Sequence, residues 1–128
     1  MKSLTLFTAM LLAVATAPAG AHDIIRHANP NVPVATSVLV PAGADLLFVS
    51  GMLADAADLS APAGSIERLG DTAAQARSIL GKIAQELEAS GFTMGDVVKM
   101  NVFLVGDPRK GGAADIEGLM MANMQVFG

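Results

Sequence analysis

The run DTAAQARSILGKIAQELEAS at 71–90, followed after Gly91 by VVKMNVFLV at 97–105, decides the fold. Ala73, Ala76, Leu80, Ile83 and Leu87 recur at steps of 3, 4, 3 and 4, the spacing that lines one face of an amphipathic helix. Asp71 suits the N-cap, and Gly91 suits the left-handed position just past the end. Gly81 costs a helix interior about 1 kcal/mol relative to Ala, so it predicts a close packing contact there. In the second run Val98, Met100, Val102 and Leu104 alternate onto one face, while the other mixes Lys99 and Asn101 with Phe103 and Val105. That pattern predicts a central, largely buried strand. A long helix feeding a buried strand is the kernel of an α+β domain.

Working outward, residues 34–40 and 45–50 are both rich in β-formers and flank the turn residues Pro41-Ala42-Gly43-Ala44, so they read as a hairpin. Residues 53–70, rich in Ala, Asp, Gly, Pro and Ser, read as a long surface loop. Residues 22–33 hold Pro30 and Pro33 around a short apolar pair and read as an extended arm. Downstream, Gly106 to Gly112 reads as a flexible loop with Arg109-Lys110 as a solvated basic tip. A second helix starts near Asp115, with Ile116, Leu119, Met120, Asn123 and Phe127 along one side. The order strand, strand, helix, strand, helix then wants a further strand to cover the second helix, so the pattern reads as lacking its final strands.

At the other end, Lys2, a short apolar run and Ala19-Gly20-Ala21 form the three regions of a secretory signal peptide, with cleavage expected after Ala21. The apolar run is shorter than the roughly 20 residues a spanning helix needs. The expected organisation is therefore a signal peptide at 1–21, an arm at 22–33 and one domain from 34 to 128. The location implied is periplasmic or secreted, with no membrane attachment after cleavage.

Composition narrows the functional classes. The chain has no cysteine, which excludes disulfides and thiolate-ligated zinc. It has no Trp or Tyr and only five Phe, too few for a base-stacking platform. Its formal net charge of −4 argues against a phosphate-backbone binder, so no nucleic-acid partner is expected. Ser37, Ser50 and Ser78 lie in no nucleophile-elbow motif, and neither His accompanies them.

Leu46-Leu47-Phe48-Val49-Ser50-Gly51, then the helix, then Gly91-Phe92-Thr93-Met94-Gly95-Asp96-Val97-Val98-Lys99-Met100-Asn101-Val102-Phe103-Leu104, resembles the RidA (YjgF) family from about Pro33 to Gly128. The resemblance implies a chorismate-mutase-like α+β fold, an antiparallel-rich sheet with two helices on one face. It also implies a homotrimer with clefts between subunits, and hydrolysis of reactive enamines and imines to ketones and ammonia without a cofactor. In that family an arginine in a "PARS" segment after the second helix grips the substrate carboxylate, and a strand bearing a glutamate follows. The 128 residues contain neither, so the resemblance assigns no catalytic residue here and reads the chain as C-terminally truncated, with inactivity the expected consequence. The substrate-binding positions it does carry over are Gly51, Val34 at a frequent Tyr position, Met120 at a frequent Asn position and Asn123 at a frequent Tyr position.

Two other classes compete with a deaminase. The first is a non-catalytic trimeric module that binds small molecules or partners, suggested by Val34 and Met120 standing at polar site positions. The second is an exported metal-binding protein using His22, His27 and the methionines. Two His on an arm define no coordination geometry, and Met94, Met100, Met120, Met121 and Met124 at helical and strand spacing read as core filling, so no metal ligand is expected.

Overall fold

The structure, a computed structural model, describes residues 23–31 and 34–128. The expected signal segment, its cleavage point after Ala21, and His22 lie outside the described residues. The described chain is α+β: a two-stranded antiparallel ladder, β1 (Ile25–His27) with β2 (Ser37–Leu39), and three helices, α1 (Ile66–Leu69), α2 (Thr72–Ala89) and α3 (Ile116–Phe127). Short 3-10 turns at Met94–Asp96 and Pro108–Lys110 punctuate the second half.

α2 forms as its sequence dictates. The Asp71 carboxylate accepts the Ala74 N–H at 2.7 Å. At the other end Gly91 takes φ +80°, Phe92 N–H bonds the Leu87 carbonyl at 2.8 Å and Gly91 N–H bonds that of Glu88 at 3.0 Å. Those two bonds are the Schellman pattern that closes a helix. Ala73, Ala76, Leu80 and Leu87 are buried and Ile83 is half-buried, so the expected face is the observed one. Gly81 is exposed with nothing within 4 Å of where a Cβ would stand, so the close contact expected there is absent.

α3 turns a different side inward from the one its bulky residues suggest. Gly118 and Ala122 are its buried residues, Leu119 is half-buried, and Ile116 and Phe127 are exposed. Small residues one turn apart let α3 approach the Ala73–Ala76 side of α2, and a Cβ on Gly118 would meet the Ala73 nitrogen at 3.3 Å. Ala76, Leu80 and Ala122 form the core cluster, and Met94, Met100 and Leu119 pack around it.

The strand expectations need correction. β2 pairs with β1, so part of the expected arm is a strand and the expected pairing of 34–40 with 45–50 is not made: Ile25 faces Leu39 and His27 faces Ser37. Residues 45–50 and 97–105 join no ladder. Without a partner strand most of their side chains stay out in solvent; Phe103 and Val105 are each 91% exposed and Val98 and Val102 are exposed as well, while Met100 and Leu104 are half-buried. A strand is a property of two chains, and alternation supplies only one.

The loop at 53–70 is tied down along its length. Lys82 Nζ reaches Asp55 Oδ1 at 2.6 Å and the Leu53 carbonyl at 3.0 Å, and Ser78 Oγ accepts the Asp55 N–H. Arg68 holds the Leu59 and Ala61 carbonyls at 2.9 and 2.8 Å. α1, capped by Ser65, closes this loop and was not expected from its composition. The hairpin joins the helical body through Arg26, whose Nη2 donates to the Gly95 carbonyl at 2.7 Å.

Candidate functional site

The N-termini of α2 and α3 open on one cleft of about 450 Å³, lined by Asp71, Ala73, Asp107, Arg109, Lys110, Asp115, Glu117, Gly118 and Met121. The segment expected as a flexible loop builds its wall. Asp107 and Ala113 form an antiparallel bridge, and Gly111, at φ +66°, lets the chain reverse between them. Asp107 caps the turn at Pro108–Lys110 by accepting the Arg109 N–H at 2.8 Å. It also takes the Arg109 side chain as a fork, Nε to Oδ1 and Nη2 to Oδ2, both at 3.0 Å. Asp115 caps α3 through the Gly118 N–H at 3.1 Å and takes Lys110 Nζ at 2.8 Å.

The basic tip is therefore solvent-exposed as expected but ion-paired rather than free. Both carboxylates are covered, though by their own loop and close to the surface rather than deep among many atoms. The Arg109 side chain, with the backbone N–H beside it, holds the Asp107 carboxyl below the usual range, and Lys110 together with the Gly118 N–H does the same for Asp115. The cations move the other way: hydrogen bonding to Asp107 raises Arg109, and hydrogen bonding to Asp115 raises Lys110. All four shifts point away from neutrality, whereas a general acid or base needs its pKa brought toward the working pH. The quartet clips a loop; it is not built to move protons.

None of the four residues carried over from the family pattern lines this cleft. Val34 is exposed, and Gly51 stands exposed with open space where a Cβ would be. Met120 and Asn123 share α3. Asn123 Oδ1 is closed off from solvent with no donor facing it, an unmet acceptor of the kind that folded chains seldom tolerate. His27 is exposed at the end of β1, and the described residues hold no cluster of three or more His, Asp or Glu arranged for a metal ion. Sequence reasoning missed the Asp107–Arg109 and Lys110–Asp115 clips. Their signal was present in Asp-Pro-Arg, where an Asp ahead of a Pro-led turn takes the turn's N–H groups and, with a basic residue two positions on, its charge.

A carboxylate substrate needs a free guanidinium fork, so the arginines matter most. Arg26 and Arg68 are committed to backbone carbonyls and Arg109 to Asp107. Arg77 is exposed on α2, away from the cleft lining.

The family model described as Endoribonuclease L-PSP, the RidA (YjgF) family, matches residues 30–115, which is more than half of the chain. The chain belongs to this family. The match spans β2, α1, α2 and the segment 97–105, and it includes Val34 and Gly51 while ending before Met120 and Asn123. Members of the family generally assemble as homotrimers. No curated protein matches the chain significantly.

Proposed function

We propose that the protein is an exported RidA-type protein whose homotrimer handles small enamino and imino acids, their conversion by water addition to keto acids and ammonia depending on an arginine that is not among the four of residues 1–128. The observation that carries this reading is the family match over 30–115, which holds the run Gly91–Val105 on which the resemblance rests. Trimer formation gives residues 45–50 and 97–105 a role: their exposed Leu46, Phe48, Val102 and Phe103 need cover, and extended backbone needs a partner. Hydrolysis of small molecules fits the chain better than cleavage of RNA, because the charge is −4 and the cations of the cleft are neutralised by their own carboxylates.

A second reading has a specific observation behind it. Of the four arginines, three are already bonded within the chain, and Val34 and Met120 offer no proton donor, which favours binding without turnover. The test is keto-acid release from an imine generated in place by an amino-acid dehydratase. The 128-residue chain should leave the buffer rate unchanged. Joining a "PAR" segment and a Glu-bearing strand after Gly128 should bring turnover, and changing the added Arg to Ala should remove it. Turnover by the 128-residue chain would overturn the argument from the arginines. An inert extended chain that still binds 2-oxobutanoate by calorimetry would replace the deaminase with the binding module.

A further inference from the structure

The methionines divide into two sets. Met94 and Met100 pack against the Ala76–Leu80–Ala122 cluster, as core filling should. Met120, Met121 and Met124 are 37%, 55% and 64% exposed, so within the single chain these three are not core filling. Glu117, Met120, Met121 and Met124 fall at i, i+3, i+4 and i+7 of α3, which puts a carboxylate and three thioethers on one exposed face. Neighbours at those spacings have Cβ atoms roughly 5–6 Å apart. Unbranched side chains with three rotatable bonds can bring their sulfurs from there onto a single ion.

We propose that Glu117, Met120, Met121 and Met124 form a binding site for a soft monovalent cation, copper(I) or silver(I). Neutral thioethers suit such soft ions, whereas magnesium and calcium take oxygen donors and zinc takes thiolate, imidazole or carboxylate. A second observation points the same way. Glu117 and Met121 also line the cleft, whose wall carries the carboxylates of Asp71, Asp107, Asp115 and Glu117 against the two cations Arg109 and Lys110. That surplus of negative charge draws a cation to the end of the thioether stripe. Asp71, Asp107 and Asp115 are engaged as caps or in ion pairs, whereas Glu117 accepts no hydrogen bond among the described residues. A purely apolar partner would have to bury Glu117 along with the methionines, at a desolvation cost that a cation avoids. The site shares Met120 with the substrate-binding positions carried over from the family pattern and otherwise uses none of their residues.

Silver(I) nitrate in chloride-free buffer is the probe, which avoids redox chemistry. Native mass spectrometry should give one ion per chain. Carbon-13 methyl spectra should show Met120, Met121 and Met124 moving while Met94 and Met100 stay. The triple variant M120L/M121L/M124L should keep its far-UV dichroism and lose at least about tenfold in affinity, and E117Q should lose a smaller factor. If the triple variant does not fold, the three single Met→Leu variants should each weaken binding while remaining helical. No binding at about 100 µM silver, affinity unchanged in the Met variants, or loss of binding in H27A would each overturn the site. Displacement of silver by stoichiometric zinc(II) would overturn the thioether assignment as well.

Discussion

Leu80→Ala tests whether the small helical core carries the stability of the domain. Leu80 is 4% exposed and is the one large side chain of the cluster it forms with Ala76 and Ala122. Removing three carbons forfeits about 2.4 kcal/mol of transfer free energy at roughly 0.8 kcal/mol each. Ala76 and Ala122 are too short to fill the space, so a cavity term adds to this; Met94 and Met100 can lean in and limit it. The sum is about 3 kcal/mol, within the ~2–5 kcal/mol span of Leu→Ala changes in cores. Domains of this kind have only about 5–15 kcal/mol in total, and one with so few buried apolar residues sits toward the low end. Urea unfolding followed by circular dichroism at about 222 nm is the assay, because the chain has no Trp or Tyr to report by fluorescence. Leu80→Met, which keeps the volume, should cost less than about 1.5 kcal/mol. A Leu80→Ala loss below about 1 kcal/mol, or equal losses in the two variants, would refute the assignment of the core to the α2–α3 contact.

Gly118→Ala should destabilise by about 1–3 kcal/mol although Ala is the better helix former, because the new Cβ would stand 2.5 Å from Asp115 Oδ2 and 3.3 Å from the Ala73 nitrogen; thermal melting checks the sign. The clips of the 107–115 loop have a defined pH window. Asp107 and Asp115 have carboxyls held below the ordinary 3.8, so their contribution is complete above that value and drains as pH falls through the lower folded values. Lys110 is held above 10.5, so its contribution is complete below that value and is lost as pH rises through the higher folded one. Amide shifts of Arg109 and Gly118 should therefore be flat across neutral pH, and a transition near about pH 6 would count against the clips. Intact-mass analysis of exported protein should find His22 as the first residue, and a retained Met1 would refute the signal-peptide reading.

Legibility followed the range of the interaction. α2 was readable to its caps because Asp71, the 3-4 apolar spacing and Gly91 all act within one helix. The inward face of α3 was not, because it is chosen by how closely a second helix can approach, and Gly118 and Ala122 win that contest over bulkier Ile116 and Phe127. The same holds for 45–50 and 97–105, whose alternation describes half of a ladder and is silent on the other half. The partner of β2 proved to be Ile25–His27, a segment that Pro30 and Pro33 had marked as an arm. Of the carried-over positions, Val34, Gly51, Met120 and Asn123, only the family pattern spoke, and the cleft formed elsewhere.

The arginines decide how a substrate carboxylate could be held by this chain. A guanidinium that grips a substrate carboxylate has to be left unpaired by its own protein, which leaves it ready for a bidentate partner. Arg109 has the right shape for that role but faces Asp107 two residues away, at 3.0 Å through both arms of the fork. A substrate would have to displace a carboxylate that the chain supplies at far higher effective concentration. Arg68 and Arg26 each hold a loop to the helical layer, so releasing either one for catalysis would loosen the 53–70 loop or the hairpin. The charge that completes a hydrolytic site must therefore come from a residue not already serving the fold. That requirement is why Asp107→Asn is not expected to create turnover: it frees Arg109 beside the Lys110–Asp115 pair, whose members are both shifted away from neutrality and so are not poised to deliver a proton.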